Sequence, residues 1–189
     1  MNKSFIIEGL DRLGKSTLIS NIQQKLGFFQ IIHYSKPLKL DAYNGDLRKY
    51  QYESFKAMFR MLETSADAPH HAQVRYILDR AHLGEAVYSP MYRGYDGNYV
   101  FDLEDHYNAY YNQRVRLILL TEDFTKSKHF VDDGESLGQE SARAKEQFLF
   151  LAAFDKSLFP DKKIICVTGE DGQFRSEEEI LAEALEGIV

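Results

Sequence analysis

The chain has 189 residues, 44% of them hydrophobic, which is enough for the core of one domain, and it carries a net charge of −6. That acidity excludes the basic footprint of a duplex-DNA binder, and no apolar run approaches the ~18 residues that a membrane span needs. The first residues, Met1 to Glu8, do not make a signal peptide, because Glu8 interrupts the apolar stretch after three residues. The expected location is therefore cytoplasmic. One cysteine, Cys166, leaves no internal disulfide and fits a reducing compartment.

In chain order, short apolar runs at 3–8, 30–34, 74–78, 115–120 and 163–167 read as strands. The last contains Cys166 and reads as a buried strand with the thiol as core filler. Between the strands lie stretches of helical period. Leu18, Ile22 and Leu26, with Ile19 beside them, form one apolar stripe. Phe148, Leu151 and Ala152 mark a second. Ile180, Leu181, Ala184, Leu185 and Ile188 mark a third, opened by a capping box at Ser176 to Glu179. Strands that alternate with helices imply right-handed crossovers. The expected fold is α/β, a five-stranded parallel sheet with helices on both faces, in a single domain over 1–189. Two stretches fit neither period. Residues 35–46 read as a loop after the second strand. Residues 121–139, with Lys126, Lys128, His129 and an Asp132-Asp133-Gly134 turn, are a candidate lid.

Gly9-Leu10-Asp11-Arg12-Leu13-Gly14-Lys15-Ser16 matches G-x-x-x-x-G-K-[ST] at every fixed position, with a strand before it and an amphipathic helix after it. Glycines let backbone N–H groups converge on phosphate oxygens, and the positive end of the helix dipole points at the same place. Lys15 would charge-pair with the β- and γ-phosphates of ATP, and Ser16 would offer its hydroxyl to Mg²⁺. None of the six histidines has metal-site spacing, so Mg²⁺ would arrive with the phosphates. The motif implies nucleotide binding and leaves the reaction open.

With its flanks the loop reads Ile7-Glu8-Gly9-Leu10-Asp11-Arg12-Leu13-Gly14-Lys15-Ser16-Thr17, which closely resembles the thymidylate kinase family's E-G-x-D-[GR]-x-G-K-[ST]-T. Arg12 resembles the subgroup that carries a catalytic arginine in this loop, and the candidate lid contains no arginine. Tyr76-Ile77-Leu78-Asp79-Arg80 is similar to that family's strand ending in Asp-Arg. At the carboxyl end of a central parallel strand such a pair faces the ligand crevice. The family's F-P-x-R loop is absent, and Ser35-Lys36-Pro37-Leu38-Lys39 stands there instead. The tyrosine-rich stretch from Tyr92 to Tyr111 is not typical of the family's cellular members, and His82 to Tyr88 followed by Tyr92-Arg93 is more like thymidylate-kinase-like proteins of bacteriophages, which leaves modified pyrimidine nucleotides open as acceptors.

The resemblance implies a P-loop NTPase fold with a lid and transfer of the ATP γ-phosphoryl group to a deoxynucleoside monophosphate, dTMP or a related pyrimidine nucleotide. It implies catalytic roles for Lys15, Arg12, Asp79 and Arg80, with residues 9–17 as the cofactor cradle and Ser16 and Asp79 near the metal. It places Asp11 on the sugar 3′-OH, Arg80 with Lys36 or Lys39 on the acceptor phosphate, and Tyr88 under the deoxyribose. Arg60 would read the base, and Phe55 or Phe59 would stack on it, although both phenylalanines fit core packing equally well. A homodimer is suggested. Three other readings stay open: a deoxynucleoside kinase, a kinase of hydroxymethylated pyrimidines in nucleotides or DNA, and a non-catalytic nucleotide-binding module.

Overall fold

The strand that leads into the glycine-rich loop, β1 (Ser4–Gly9), is buried at every position. Its place in the sheet explains this, because β3 (Tyr76–Asp79) and β4 (Val115–Thr121) pair with it in parallel on either side. With β2 (Gln30–His33) and β5 (Lys162–Cys166) outside them, the five-stranded order is β2-β3-β1-β4-β5. This is the all-parallel α/β sheet of the P-loop NTPase fold. The computed structural model describes residues 3–34, 46–69, 73–111, 114–126 and 140–188.

Strands buried on both faces read as continuous apolar runs, and β4, Val115-Arg116-Leu-Ile-Leu-Leu-Thr121, is buried throughout. Helices cover both faces. On one side α1 (Lys15–Leu26) packs with α6 (Glu177–Leu185). On the other, α2 (Leu47–Asp67), α3 (His82–Tyr88), α4 (Tyr99–Tyr111) and α5 (Glu140–Lys156) pack with one another. Between α3 and α4 the chain makes a single π-helical turn, Ser89–Arg93. The capping box of α6 forms as the sequence predicts, with Ser176 Oγ accepting from Glu179 N and Glu179 Oε2 from Ser176 N. Among the described residues no helix is long and apolar enough to cross a membrane.

Three sequence expectations need correction. The last strand is not a buried one. It is an edge strand, so Ile164 is 44% exposed and Cys166 is only partly covered. The stripe of α5 is displaced, because Phe148 faces solvent at 69% exposure while Phe150, Ala153 and Phe154 enter the core. The third strand starts at Tyr76, and Val74 is largely exposed ahead of it.

Buried carboxylates tie these layers together. Glu104 of α4 is fully buried and accepts from Ser157 Oγ (2.6 Å), Leu158 N (2.8 Å) and Phe159 N (3.0 Å), while its other oxygen lies 3.5 Å from His82 Nε2. His82 opens α3 and sits between Phe59 and Phe159. One side chain thus joins α3, α4 and the turn after α5. Glu104→Ala strands three donors and a buried imidazole, so it should lower the free energy of unfolding by about 3–5 kcal/mol. Urea denaturation measures this, and a loss below about 1 kcal/mol would show that the joint carries little.

Candidate functional site

The loop between β1 and α1 is set by backbone geometry. Gly9 has φ +132°, and a Cβ there would meet the Leu120 carbonyl oxygen at 2.4 Å, so only glycine lets β1 lie this close to β4. Gly14 adopts a left-handed conformation as the N-cap of α1. The only non-glycine residues with positive φ among those described are Arg12 (68°) and Arg80 (63°). A left-handed arginine costs of order 1 kcal/mol or more, and such strain gathers at ligand sites. Arg12 lies within the loop, and Arg80 pairs with the loop's Asp11.

Lys15 is 6% exposed, and its ammonium donates to the carbonyls of Gly9 (3.0 Å) and Leu10 (2.5 Å). Burial, together with the nearby Arg80 charge, pulls its pKa down from 10.5 to about 8, against the attraction of Asp11 and Asp79. Ser16 and Thr17 are exposed at the first turn of α1. Leu10 and Leu13 point their side chains into the core, leaving their backbone to the loop.

Arg80 follows Asp79 at the end of β3, where its N–H still donates to Ile7 O (2.9 Å) and so continues the β1–β3 ladder. Its guanidinium pairs with the carboxylate of Asp11. The Asp11 carbonyl in turn accepts from both terminal nitrogens of Arg143 in α5, each at 3.3 Å. Arg143 is held by Glu122, through Nε (3.1 Å) and a terminal nitrogen (2.6 Å). The Glu122 backbone is fixed by two hydrogen bonds, its N–H donating to Gln147 Oε1 and its carbonyl accepting from Gln147 Nε2, 2.8 Å each. No sequence motif marks Arg143, 132 residues from Asp11.

Glu8 is 1% exposed. Its Oε1 accepts from Ala81 N (2.9 Å) and Leu83 N (3.0 Å), so it caps the start of α3. Burial raises its pKa, opposed by His82, by these N–H groups and by Lys15. Asp79 Oδ2 contacts His33 Nδ1 at 2.7 Å, and Asp79 Oδ1 is buried without a hydrogen-bond partner among the described residues. That orphaned oxygen near the loop fits a hydrated cation, as does the exposed Ser16 hydroxyl. Among the described residues no three His, Cys, Asp or Glu side chains converge to hold a metal by themselves.

Two cavities open from this centre. One, about 60 Å³, is lined by Glu8, Gly9, Tyr34, Gln51, Phe55, Arg80, Ala81, Gly84, Glu85, Tyr88, Arg93 and Phe150. It joins three residues that the resemblance singled out, Arg80, Tyr88 and Phe55, with several that it did not. Phe55 stacks on Tyr34, ring centres 5.7 Å apart, and Tyr88 packs edge-on against Phe150 at 5.5 Å. Burial raises the Tyr88 pKa, and Glu146 and Asp11 reinforce it, so the hydroxyl stays neutral. Phe59 takes the core alternative, being fully buried and stacked on Tyr107 at 6.0 Å. Arg60 is exposed and does not line the cavity, because one helical step from a core position such as Phe59 turns it away. Lys36, Lys39 and residues 127–139 of the expected lid lie outside the described residues.

The second cavity, about 240 Å³, lies between α1 and α6 beside the loop and is lined by Arg12, Leu13, Gly14, Thr17, Leu18, Asn21, Phe174, Arg175, Glu177 and Ile180. Its far wall, 50% exposed at Phe174, belongs to a hairpin after β5 that no sequence motif marks.

No protein-family model matches the chain, and no curated protein matches it in sequence. Its fold is similar to solved structures. One is the YorR protein of Bacillus subtilis in complex with phosphorylated GDP, 17% identical, with 97% of this chain and 94% of that chain covered and a TM-score of 0.60. Another is the thymidylate kinase of Candida albicans, 20% identical, covering 98% and 90%, with a TM-score of 0.58. The thymidylate kinase of Ehrlichia chaffeensis is 14% identical, covering 98% of each chain, with a TM-score of 0.54. At these identities the likeness establishes the fold.

The Lys15 environment gives a pH-dependent signature. With a pKa near 8 in the empty cradle, part of the Lys15 population is neutral at pH 8. An anionic phosphate raises that pKa again, so binding takes up protons at pH 8. At pH 6.5 the amine is already charged and contributes no uptake. Calorimetric titration with ATP in two buffers of different ionisation enthalpy should show the uptake at pH 8, and Lys15→Met should remove it. Buffer-independent heats at pH 8 would contradict the assignment.

Proposed function

We propose that the protein transfers the γ-phosphoryl group of ATP to the 5′-phosphate of a deoxynucleoside monophosphate, most readily a pyrimidine nucleotide. The observation that carries this reading is the position of Arg80. It lines the smaller cavity and also pairs with Asp11 inside the phosphate-binding loop, so one cation stands between a donor cradle and a second anion site.

In this reading the donor triphosphate lies across residues 9–17, and its base enters the cavity walled by Leu18, Phe174 and Ile180. An oxygen of the acceptor phosphate attacks the γ-phosphorus. The new P–O bond forms as the bond to the β–γ bridging oxygen breaks, and ADP leaves. Both reactants are anions, so the protein's task is positioning and charge neutralisation. Lys15 leaves its two carbonyls for the β- and γ-phosphate oxygens. Arg12, held left-handed at the rim, neutralises charge on the group in transfer. Arg80 holds the acceptor phosphate. Mg²⁺ would be held by Ser16, with Asp79 near its water shell, and would supply further neutralisation of the phosphates. Tyr88 packs where the sugar lies, and its ring disfavours a ribose 2′-OH. Asp11 is committed to Arg80 in the free protein, and contact with a sugar 3′-OH requires that pair to loosen.

A hydroxyl acceptor is the second reading, and one observation supports it. His33 and Asp79 form a 2.7 Å pair at neighbouring strand ends, an arrangement that can take a proton from an alcohol. Labelled ATP offered to a panel of nucleosides, monophosphates and DNA separates these acceptors.

Lys15→Ala should lower phosphoryl transfer by at least ~10²-fold, and substantial activity in the folded variant would end the assignment. Arg80→Ala should weaken monophosphate binding about tenfold or more and ATP binding by clearly less, because ATP keeps its contacts along residues 9–17 and loses only the support that Arg80 gives Asp11. Separate calorimetric titrations test this. Equal losses for both ligands would make Arg80 a structural residue.

A further inference from the structure

One buried carboxylate beside the site is not used by phosphoryl transfer itself. Glu146 of α5 is 6% exposed, and the one hydrogen bond that it accepts among the described residues comes from the Tyr92 hydroxyl. Its neighbours along the helix face two parts of the centre. Arg143, three positions earlier, reaches the Asp11 carbonyl in the phosphate-binding loop. Phe150, four positions later, lines the smaller cavity and packs against Tyr88. Positions three and four apart share one face of a helix, so Glu146 lies between the loop and the cavity.

Two further observations bring its carboxylate to the acceptor side. Tyr92, which bonds it, packs against Tyr88 with ring centres 6.0 Å apart. The charges of Glu146 and Asp11 both act on the Tyr88 hydroxyl, and Asp11 acts on Glu146 in turn. Burial raises the Glu146 pKa, the Tyr92 bond and the Arg143 charge oppose the rise, and Asp11 adds to it.

A carboxylate is an unfavourable neighbour in a site that gathers phosphates, because it repels each of them. What it favours beside it is a group that donates a hydrogen bond. The sugar of a deoxynucleoside monophosphate carries one such group, the 3′-OH. Asp11, the carboxylate that the resemblance assigns to this hydroxyl, is taken by Arg80. Glu146 has no such pair to give up. A carboxylate accepts several hydrogen bonds, and Tyr92 uses one of them.

We infer that Glu146 holds the 3′-OH of the acceptor sugar, and that the chain selects against 3′-deoxy nucleotides through it. The inference rests on the acceptor reading proposed above and puts Glu146 in the place of Asp11 at the sugar. A strut between the π-helical turn and α5, made by the Tyr92 bond alone, would affect every acceptor alike. That difference separates the two roles.

Calorimetric titration of the full chain measures binding without phosphoryl transfer. It should show dTMP binding about tenfold or more tighter than its 3′-deoxy analogue, because a hydrogen bond to a buried carboxylate is a strong one. Glu146→Gln keeps the volume and can still accept from Tyr92. It should cut that advantage about fivefold or more, since the bond loses its charge, while the 3′-deoxy analogue binds much as before. Tyr92→Phe removes the strut, keeps the carboxylate and should preserve the advantage. Equal binding of the two nucleotides by the wild type overturns the inference, as does an unchanged advantage in Glu146→Gln or an equal loss for both. In each of these cases the acceptor reading stands, because a monophosphate still binds. If neither monophosphate binds the wild type, both readings fall together.

Discussion

Asp11 is the point on which the geometry of this site depends. Its carboxylate takes Arg80 from the end of β3, and its carbonyl takes Arg143 from α5. The phosphate-binding loop is thereby clamped from two directions, by elements far apart in the sequence. A loop of this kind has little of its own to hold it, since its backbone N–H groups must stay available for a ligand. The clamp supplies the rigidity. The two left-handed residues, Arg12 and Arg80, both adjoin this clamp.

Buried carboxylates do similar work elsewhere. Glu8 caps α3, Glu85 gathers Arg93, Tyr95 and Tyr99, Glu104 joins α3 and α4 to the turn after α5, and Glu122 holds Arg143. All four are at most 3% exposed. A buried carboxylate is costly unless it is hydrogen-bonded, and at least one oxygen of each is occupied by backbone N–H groups, hydroxyls or a guanidinium group. Each therefore fixes direction as well as position, since a hydrogen-bonded ion tolerates less displacement than an apolar contact. In the wall of the smaller cavity Ala81 and Gly84 are held by Glu8, and Arg93 by Glu85.

The two cavities differ in a way that matches the chemistry asked of them. The larger is an open cleft between two helices and a hairpin, with apolar walls at Leu18, Phe174 and Ile180. The smaller is lined by the rings of Tyr34, Phe55, Tyr88 and Phe150 and has a polar edge at Gln51 and Arg93. Selectivity between two nucleotides needs polar groups that are left unpaired by the wrong partner, and only the smaller cavity has them in buried form.

The sequence by itself determined the parallel α/β sheet, the phosphate-binding loop and the Asp79-Arg80 strand end, because these follow from local periodicity and from glycine positions within a few residues of one another. The capping box of α6 was legible for the same reason. Tertiary structure alone decided the rest. Phe55 and Phe59 are equivalent as sequence, one helical turn apart, yet only Phe55 lines the cavity, because Tyr107 and His82 cover the other. Arg60 was placed by a spacing that helix rotation does not respect. Phe148 was assigned to the core, although the face α5 turns inward is set by where β4 and α3 lie. Arg143, Gln51, Arg93 and the hairpin at Phe174 belong to no motif. They meet the ligand site through contacts across the chain, and a linear pattern records what neighbours in sequence do, whereas a cavity is made by residues that only packing brings together.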